Sequence, residues 1–276
     1  MRCKQKIIEL GNRYLFINLF IKRLLFYYYC YLNKDLTPPQ LFNYVGGEEF
    51  FRLGKGYFDL IKNHGGVKPD HKILDIGCGI GRVAIHFIDY LDENGKYNGF
   101  DIVKYGPKWC NYKIARKYPG FAFRYVDIYN KEYNKNGTLN ADDFIFPYKS
   151  NSFNFAFATS VFTHMLPDAV FHYLKQIQRV LVNDGIFLGS FFILNPESEK
   201  SMPHSRFNFK PVNKHYGVMN EENPEEVIAY QENYLKKIFT ASGFSVISPI
   251  LYGDWSGRQS LVGGQDIILL KKTAAT

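Results

Sequence analysis

The chain has 276 residues, 46% hydrophobic and 22% charged, the composition of a globular protein with a sizeable core rather than a disordered or fibrous one. Its four cysteines, Cys3, Cys30, Cys78 and Cys110, contain no CxxC pair, so no zinc site or disulfide framework is expected and a reducing, cytoplasmic setting fits. Of the formal net charge of +8, residues 1–36 carry +5; the body is only mildly basic and shows no stripe of the kind that follows nucleic acid.

In chain order, residues 1–36 form a basic, aromatic-rich head running from Tyr14 through Phe16, Phe20 and Leu24 to Tyr31. Lys22 and Arg23 in its middle cost a few kcal/mol each in a bilayer, which argues against a membrane span, and no small-residue site marks a signal peptide. Two readings stay open: a helix packed on the body or on a second copy in a homo-oligomer, or an interfacial helix on anionic lipid that makes the protein peripheral to a membrane. Thr37-Pro38-Pro39 breaks the pattern, and a domain is expected over 37–276. A helix is predicted over 47–63, a short buried strand over 72–76, a helix over 83–91, and a strand over 97–101. A helix over 107–118 and a strand over 121–126 follow. A further strand at 153–158 precedes a helix over 167–182 that stops at Asn183-Asp184-Gly185. Residues 186–193 read as the fifth strand. The polar, proline-broken stretch 195–223 reads as a lid-like loop, then a helix is predicted over 225–241 and strands over 244–251 and 266–270. Five strand–helix alternations imply an α/β fold, a Rossmann-like parallel sheet with helices on both faces and ligands beyond the carboxyl ends of its strands.

The chemistry gathers at those ends. The turn after the first strand reads Asp75-Ile76-Gly77-Cys78-Gly79-Ile80-Gly81, with glycine at every second position, which lets backbone approach a ligand with no Cβ in the way. A dinucleotide turn instead spaces its glycines as G-x-G-x-x-G and aims a helix start at a pyrophosphate. Asp101 ends the second strand, twenty residues past Gly81, where a carboxylate can accept both hydroxyls of a ribose. Asp127 follows the third strand and is suited to an adenine amino group, with Val126 and Ile128 as apolar walls; Ile102, next to Asp101, is a further cofactor-binding candidate. Thr159 ends the fourth.

These segments, LDIGCGIGR at 74–82, GFDI at 99–102, YVDIYN at 125–130 and SFNFAFATSVFTHMLPDAV with YLKQIQRVLVNDGIFLGSFF between 152 and 192, resemble the class I S-adenosylmethionine-dependent methyltransferases over about residues 45–271. The resemblance implies a seven-stranded sheet with its last strand antiparallel. It also implies S-adenosylmethionine as cofactor, with Gly77, Gly79 and Gly81 at its methionine end, Asp101 at the ribose and Asp127 at the adenine; Cys78 lies within that turn, and the charge of Asp75 suits the cofactor's ammonium, directly or through water. Weaker likenesses around VFTHMLP and YGDWSGR point to O-methyltransferases of glycan assembly.

An alcohol acceptor needs a base, and His164, just past the fourth strand, is the candidate; the alternative is a histidine satisfied locally that only shapes the pocket. His204 and His215 are second choices. Trp255 could stack on a sugar and Arg258 could hold a carboxylate or phosphate, although both also suit an ordinary packed hairpin. A metal could activate the hydroxyl instead. The place after the fourth strand reads Thr-Ser-Val-Phe rather than the Asn/Asp-Pro-Pro-Tyr/Phe of many amino-group methyltransferases, so a small molecule or saccharide is expected as substrate and nucleic acid is not. Two rivals share the glycine turn: a nicotinamide-dependent oxidoreductase and a non-catalytic cofactor-binding module.

Overall fold

The structure, a computed structural model, describes residues 49–273 except Arg206 and Leu261, together with Leu24, Leu36 and Pro38. The expectations for the basic head therefore fall outside the described residues. Helix α1 (Phe50–Gly65) buries Phe50, Gly54, Phe58, Ile61 and Gly65 along one face, and Gly66 at φ 63° closes it in the left-handed conformation that glycine adopts without a Cβ penalty. A Cβ on Gly54 would stand 2.1 Å from the carbonyl oxygen of Arg82, so α1 lies directly against the backbone of the glycine-rich segment.

The strands are β1 (Lys72–Ile76), β2 (Lys96–Asp101), β3 (Phe121–Tyr125), β4 (Phe153–Ala158), β5 (Leu181–Phe191), β6 (Ile193–Leu194), β7 (Lys210–Pro211), β8 (Tyr216–Val218), β9 (Ile228–Gln231), β10 (Phe244–Leu251) and β11 (Asp266–Lys272). Seven form one sheet in the order β10-β11-β5-β4-β1-β2-β3. Strand β11 runs antiparallel to β10 and to β5; β5, β4, β1, β2 and β3 are mutually parallel. This is the Rossmann-like methyltransferase fold expected from the sequence. Alternation along β1 sends Ile73 into the core on one face and Leu74 and Ile76 into the core on the other, the two-sided burial that a parallel sheet requires. Among the described residues no helix is long and apolar enough to cross a membrane.

Five expectations change. The helix over 83–91 is a single 3-10 turn, Ala84–Phe87, and i−3 and i−4 bonds mix along the segment: His86 donates to Val83 at 3.1 Å and Leu91 to Phe87 at 3.0 Å. Val83, Ile85 and Ile88 are β-branched and weak helix formers, and Phe87 packs edge-on to Phe58 and against Tyr97. The helix over 107–118 is α2 (Tyr105–Cys110) running into a π turn at Asn111–Ala115. There the Asn111 amide leaves the helix to bond the backbone oxygen of Phe123 at 2.8 Å.

The Asn183-Asp184-Gly185 signal loops out of β5 rather than preceding it. Helix α3 (Pro167–Val180) ends one residue before that strand, and pairing with β4 jumps from Phe153–Leu181 to Phe155–Ile186, with Asp184 at φ 60°. The stretch 195–223 is not a structureless lid: it holds α4 (Pro196–Ser201), capped by Asn195, and strands β7 and β8. With β6 and β9 these make a second, four-stranded sheet in the order β6-β9-β8-β7. Strand β9 takes the start of the helix predicted from 225, leaving α5 as Glu232–Ala241. Strands of two to four residues bounded by prolines carry too short a period to show in sequence.

Candidate active site

A cavity of about 550 Å³ opens at the carboxyl ends of β1, β2 and β4, where the strand order reverses between β1–β2 and β1–β4 and a crevice is expected. Gly77, Gly79 and Gly81 sit at φ 76°, 53° and 79°, where glycine avoids strain. A Cβ on Gly77 would lie 2.4 Å from Val161 Cγ2, so this glycine is what keeps the turn and the β4 end in close approach. The N–H groups of Gly77 and Cys78 both donate to the Phe100 carbonyl, at 2.9 and 3.0 Å. The N–H groups of Gly79 and Val103 each donate to one oxygen of Asp101, both at 2.7 Å. Asp101 thus orders the turn.

Asp75, Gly77, Cys78, Gly79, Asp101, Ile102, Ile128, Thr159 and His164 all line the cavity. Asp75 is buried and accepts from the Tyr97 hydroxyl at 2.5 Å. Burial pushes its carboxyl group up to about 7, against the pull of that hydrogen bond and of Arg82 and with the push of Asp101. Burial also drives the Cys78 thiol far up, so it serves as an apolar wall and not as a nucleophile. Ser160, beside Thr159, takes φ 56°, held by a 2.7 Å bond from its N–H to Ser190 Oγ.

His164 stands in a 3-10 turn after β4 with Nδ1 3.1 Å from the Glu225 backbone oxygen and Nε2 3.4 Å from the Tyr133 hydroxyl. Burial holds its pKa below the ordinary histidine value, opposed by the backbone at Glu225 and Glu226 and by the charges of Glu132 and Glu225.

Five sequence assignments lie elsewhere. Gly81 is off the cavity wall; a Cβ there would meet Cys110 Sγ at 2.9 Å and Ile114 Cδ1 at 3.1 Å, so it admits α2 and its π turn. Asp127 is turned into its own loop, accepting from the Tyr125 hydroxyl, from Thr138 Oγ1 at 2.9 Å and from Asn134 Nδ2 at 3.4 Å, and Tyr125 holds its pKa down. His215 packs on Tyr234 with ring centroids 4.6 Å apart. Trp255 is buried among Phe192, Phe207 and Phe209 and donates to Asp266 Oδ2 at 2.7 Å. Arg258, its side chain 1% exposed, pairs with Asp266 at 3.4 Å and lies over the rings of Tyr252 and Trp255. Trp255 and Arg258 hold the 252–265 loop to β11; neither faces the cavity. The side chain of His204 lies outside the described residues.

The walls also include Arg82, Tyr129, Asn130, Tyr133, Asp168 and Glu225, which residue type and spacing did not single out. Arg82 was within reach as the last residue of the glycine motif. Asn130 opens an Asx turn, visible as an asparagine three residues before Tyr133. Glu225 comes from the turn between β8 and β9 of the small sheet, and no local pattern announces it. No group of three or more histidines, cysteines or carboxylates able to hold a metal occurs among the described residues.

A family model described as a methyltransferase domain matches residues 51–248. Among solved structures, the chain is similar to a SAM-dependent methyltransferase from Methanosarcina mazei, at 19% identity and TM-score 0.51, covering 78% of this chain and 98% of that one. It is similar also to the 1,6-didemethyltoxoflavin-N1-methyltransferase of Burkholderia thailandensis, solved with 1,6-didemethyltoxoflavin and S-adenosylhomocysteine, at 18% and 0.51, covering 82% and 80%. A third is the magnesium protoporphyrin IX methyltransferase of Synechocystis, solved with S-adenosylhomocysteine, at 12% and 0.51, covering 91% and 100%. At these identities the likeness speaks for the fold; the family model speaks for more, and together with the cavity at the reversal of the sheet it establishes that the chain belongs to the methyltransferase-domain family.

Proposed function

We propose that the protein transfers a methyl group from S-adenosylmethionine to a hydroxyl of a small acceptor, with a sugar or sugar-bearing lipid the class to test first, and with His164 as the base. The observation that carries this reading is the His164 imidazole, set in the same cavity as the glycine turn with Nδ1 against a backbone carbonyl. A carbonyl only accepts, so Nδ1 carries the hydrogen and Nε2 keeps a lone pair. Because burial lowers its pKa, the ring is neutral at pH 7 and able to take a proton. An amine acceptor needs no such group, which favours oxygen over nitrogen.

The residues present fit the cofactor. A dinucleotide would need a helix N-terminus facing its pyrophosphate, whereas one 3-10 turn follows this glycine segment. Bound S-adenosylmethionine supplies a methyl carbon on a positively charged sulfur. Asp75 suits its ammonium and Arg82 its carboxylate, Asp101 accepts from ribose hydroxyls, and Ile102 and Ile128 flank the adenine. With Trp255 and Arg258 committed to β11, the exposed rings of Tyr129 and Tyr133 at the mouth, 44% and 39% exposed, are the aromatic faces left for an acceptor.

Calorimetry should show S-adenosylhomocysteine binding and no NAD binding. Labelled methyl transfer to matched hydroxyl and amine acceptors, and to a glycan and lipid extract, should favour hydroxyls and collapse in His164→Asn. Binding of NAD alone would overturn the cofactor; amine transfer undiminished in His164→Asn would overturn the base.

A further inference from the structure

Three walls of the cavity meet at one buried side chain. Asn130, 6% exposed, accepts at Oδ1 from the N–H groups of Glu132 and Tyr133, both at 3.0 Å. Its amide nitrogen donates to the His164 carbonyl at 3.2 Å and to Glu225 Oε1 at 3.0 Å. Two donors and two lone pairs exhaust the amide's capacity. An ordinary Asx turn uses only the oxygen; here both hydrogens reach segments 34 and 95 residues away in sequence. The other Glu225 oxygen accepts from the Lys131 N–H at 3.0 Å, so the residue whose backbone oxygen faces His164 Nδ1 is itself held by the β3–β4 loop.

The consequence is a fixed pairing. Tyr133, placed through its own N–H, sets its ring edge-on to His164 with centroids 5.1 Å apart and its hydroxyl 3.4 Å from Nε2. That gap exceeds a direct O–H···N bond of about 2.8 Å. The Tyr133 hydroxyl thus faces the Nε2 lone pair through a long, weak bond, and an acceptor hydroxyl that displaces it from Nε2 can donate there while accepting from the Tyr133 O–H.

We propose that Tyr133 is a second acceptor-contacting residue working with His164, and that Asn130 is the positioning residue that sets their geometry. The inference rests on the reading of His164 as base. As the acceptor oxygen bonds the methyl carbon and the carbon–sulfur bond breaks onto sulfur, the hydroxyl proton passes to Nε2 and Tyr133 keeps its own. Tyr133 orients the oxygen lone pair; His164 receives the charge. The Tyr133 hydroxyl, its pKa raised above the ordinary tyrosine value by partial desolvation at the cavity mouth and by the charges of Glu132 and Asp101, stays protonated, as a donor must be.

The test uses the full chain with nitrogen-15-labelled histidine at pH 8. In the unmodified protein His164 should show the Nδ1–H tautomer. Tyr133→Phe keeps the ring contact and removes the hydroxyl: the Nε2 resonance should shift, S-adenosylhomocysteine affinity should stay within about twofold, and methyl incorporation into a glycan and lipid extract should fall roughly 10- to 100-fold. Asn130→Asp puts a carboxylate against Glu225 and should give mixed tautomers; adding Glu225→Gln returns a donor to that contact and should restore one tautomer. An unmoved Nε2 signal in Tyr133→Phe overturns the pair. A single tautomer in Asn130→Asp, or no rescue by Glu225→Gln, overturns the positioning role. These spectra need no cofactor, so failure to bind S-adenosylhomocysteine would count against the cofactor assignment and not against the pairing.

Discussion

Replacing Asp75 by asparagine tests the electrostatics of the cavity floor. The carboxyl group ionises near 3.8 in an unfolded chain and near about 7 in the folded one, burial being the main cause. Between those values the folded state retains a proton that the unfolded state has released, so rising pH favours unfolding by about 1.4 kcal/mol per pH unit. Above pH 7 the accumulated cost is roughly 4 kcal/mol, and between pH 5 and pH 8 it grows by roughly 3 kcal/mol. Asp75→Asn keeps an oxygen for the Tyr97 hydroxyl and cannot ionise, so its stability relative to the unmodified protein should climb by that amount across the interval. For a domain of this size the melting temperatures should diverge by roughly 6–12 °C. Binding should move the other way: a ligand ammonium favours the ionised carboxylate, so S-adenosylhomocysteine should bind more tightly as pH rises toward 7, with proton release detectable by calorimetry in buffers of different ionisation enthalpy, and the variant should lose that dependence. Parallel melting curves from pH 5 to pH 8 would refute the reasoning, because they would mean that Asp75 is not held protonated by burial.

Gly77→Ala forces a side chain to φ 76° and into Val161, so it should cost about 1–2 kcal/mol in thermal or chemical denaturation and at least tenfold in S-adenosylhomocysteine affinity by calorimetry; an unchanged Kd would remove the turn from the site. Asp101→Ala should weaken the same binding by roughly 1–3 kcal/mol, through lost ribose contacts and a loosened Gly79. His164 is surrounded by Tyr133, Glu132, Glu225 and Glu226, and burial outweighs these acids. The acid limb of methyl transfer should therefore lie below pH 6.5, with activity lost as pH falls through the folded pKa; a limb above 6.5 in the pH profile would contradict the burial argument. Trp255→Phe removes a donor from buried Asp266 and should destabilise the fold by about 1–3 kcal/mol while leaving cofactor-product affinity unchanged; weakened binding would return Trp255 to the site.

What the sequence disclosed follows the length of the signal. Strands β1 to β5 are flanked by glycine motifs and long apolar runs, and Gly77, Gly79 and Asp101 line the cavity at the ends of β1 and β2. Asp127 misled because residue type beyond a strand end says nothing of which way the carboxylate turns: Tyr125, the last residue of β3, captures it. Trp255 and Arg258 misled for a related reason. Flanking glycines suggested a presented loop, but Asp266, the first residue of β11, is fully buried and gathers the Gly253 and Ile193 N–H groups, the indole and the guanidinium. A buried carboxylate needs that many partners, and only tertiary structure shows which side chains it recruits.

The two halves of the cavity are therefore built on different principles. The cofactor half is a local product of β1 and β2, where bonds from Gly77, Cys78 and Gly79 to Phe100 and Asp101 join segments about twenty residues apart. The half that holds His164 is assembled at long range. The Tyr230 hydroxyl donates to the Met165 carbonyl, Glu225 reaches Asn130 and Lys131, and Asn223 Nδ2 donates to Glu132 Oε2 at 3.0 Å. All four donors and acceptors on the far side belong to the small sheet or its turns, so that sheet aims His164 as well as covering it. Exchange of residues 210–231 for another sequence of equal length should leave S-adenosylhomocysteine affinity largely intact while changing which hydroxyls are methylated, whereas loss of cofactor-product binding in such a chimera would show that the two halves fold as one.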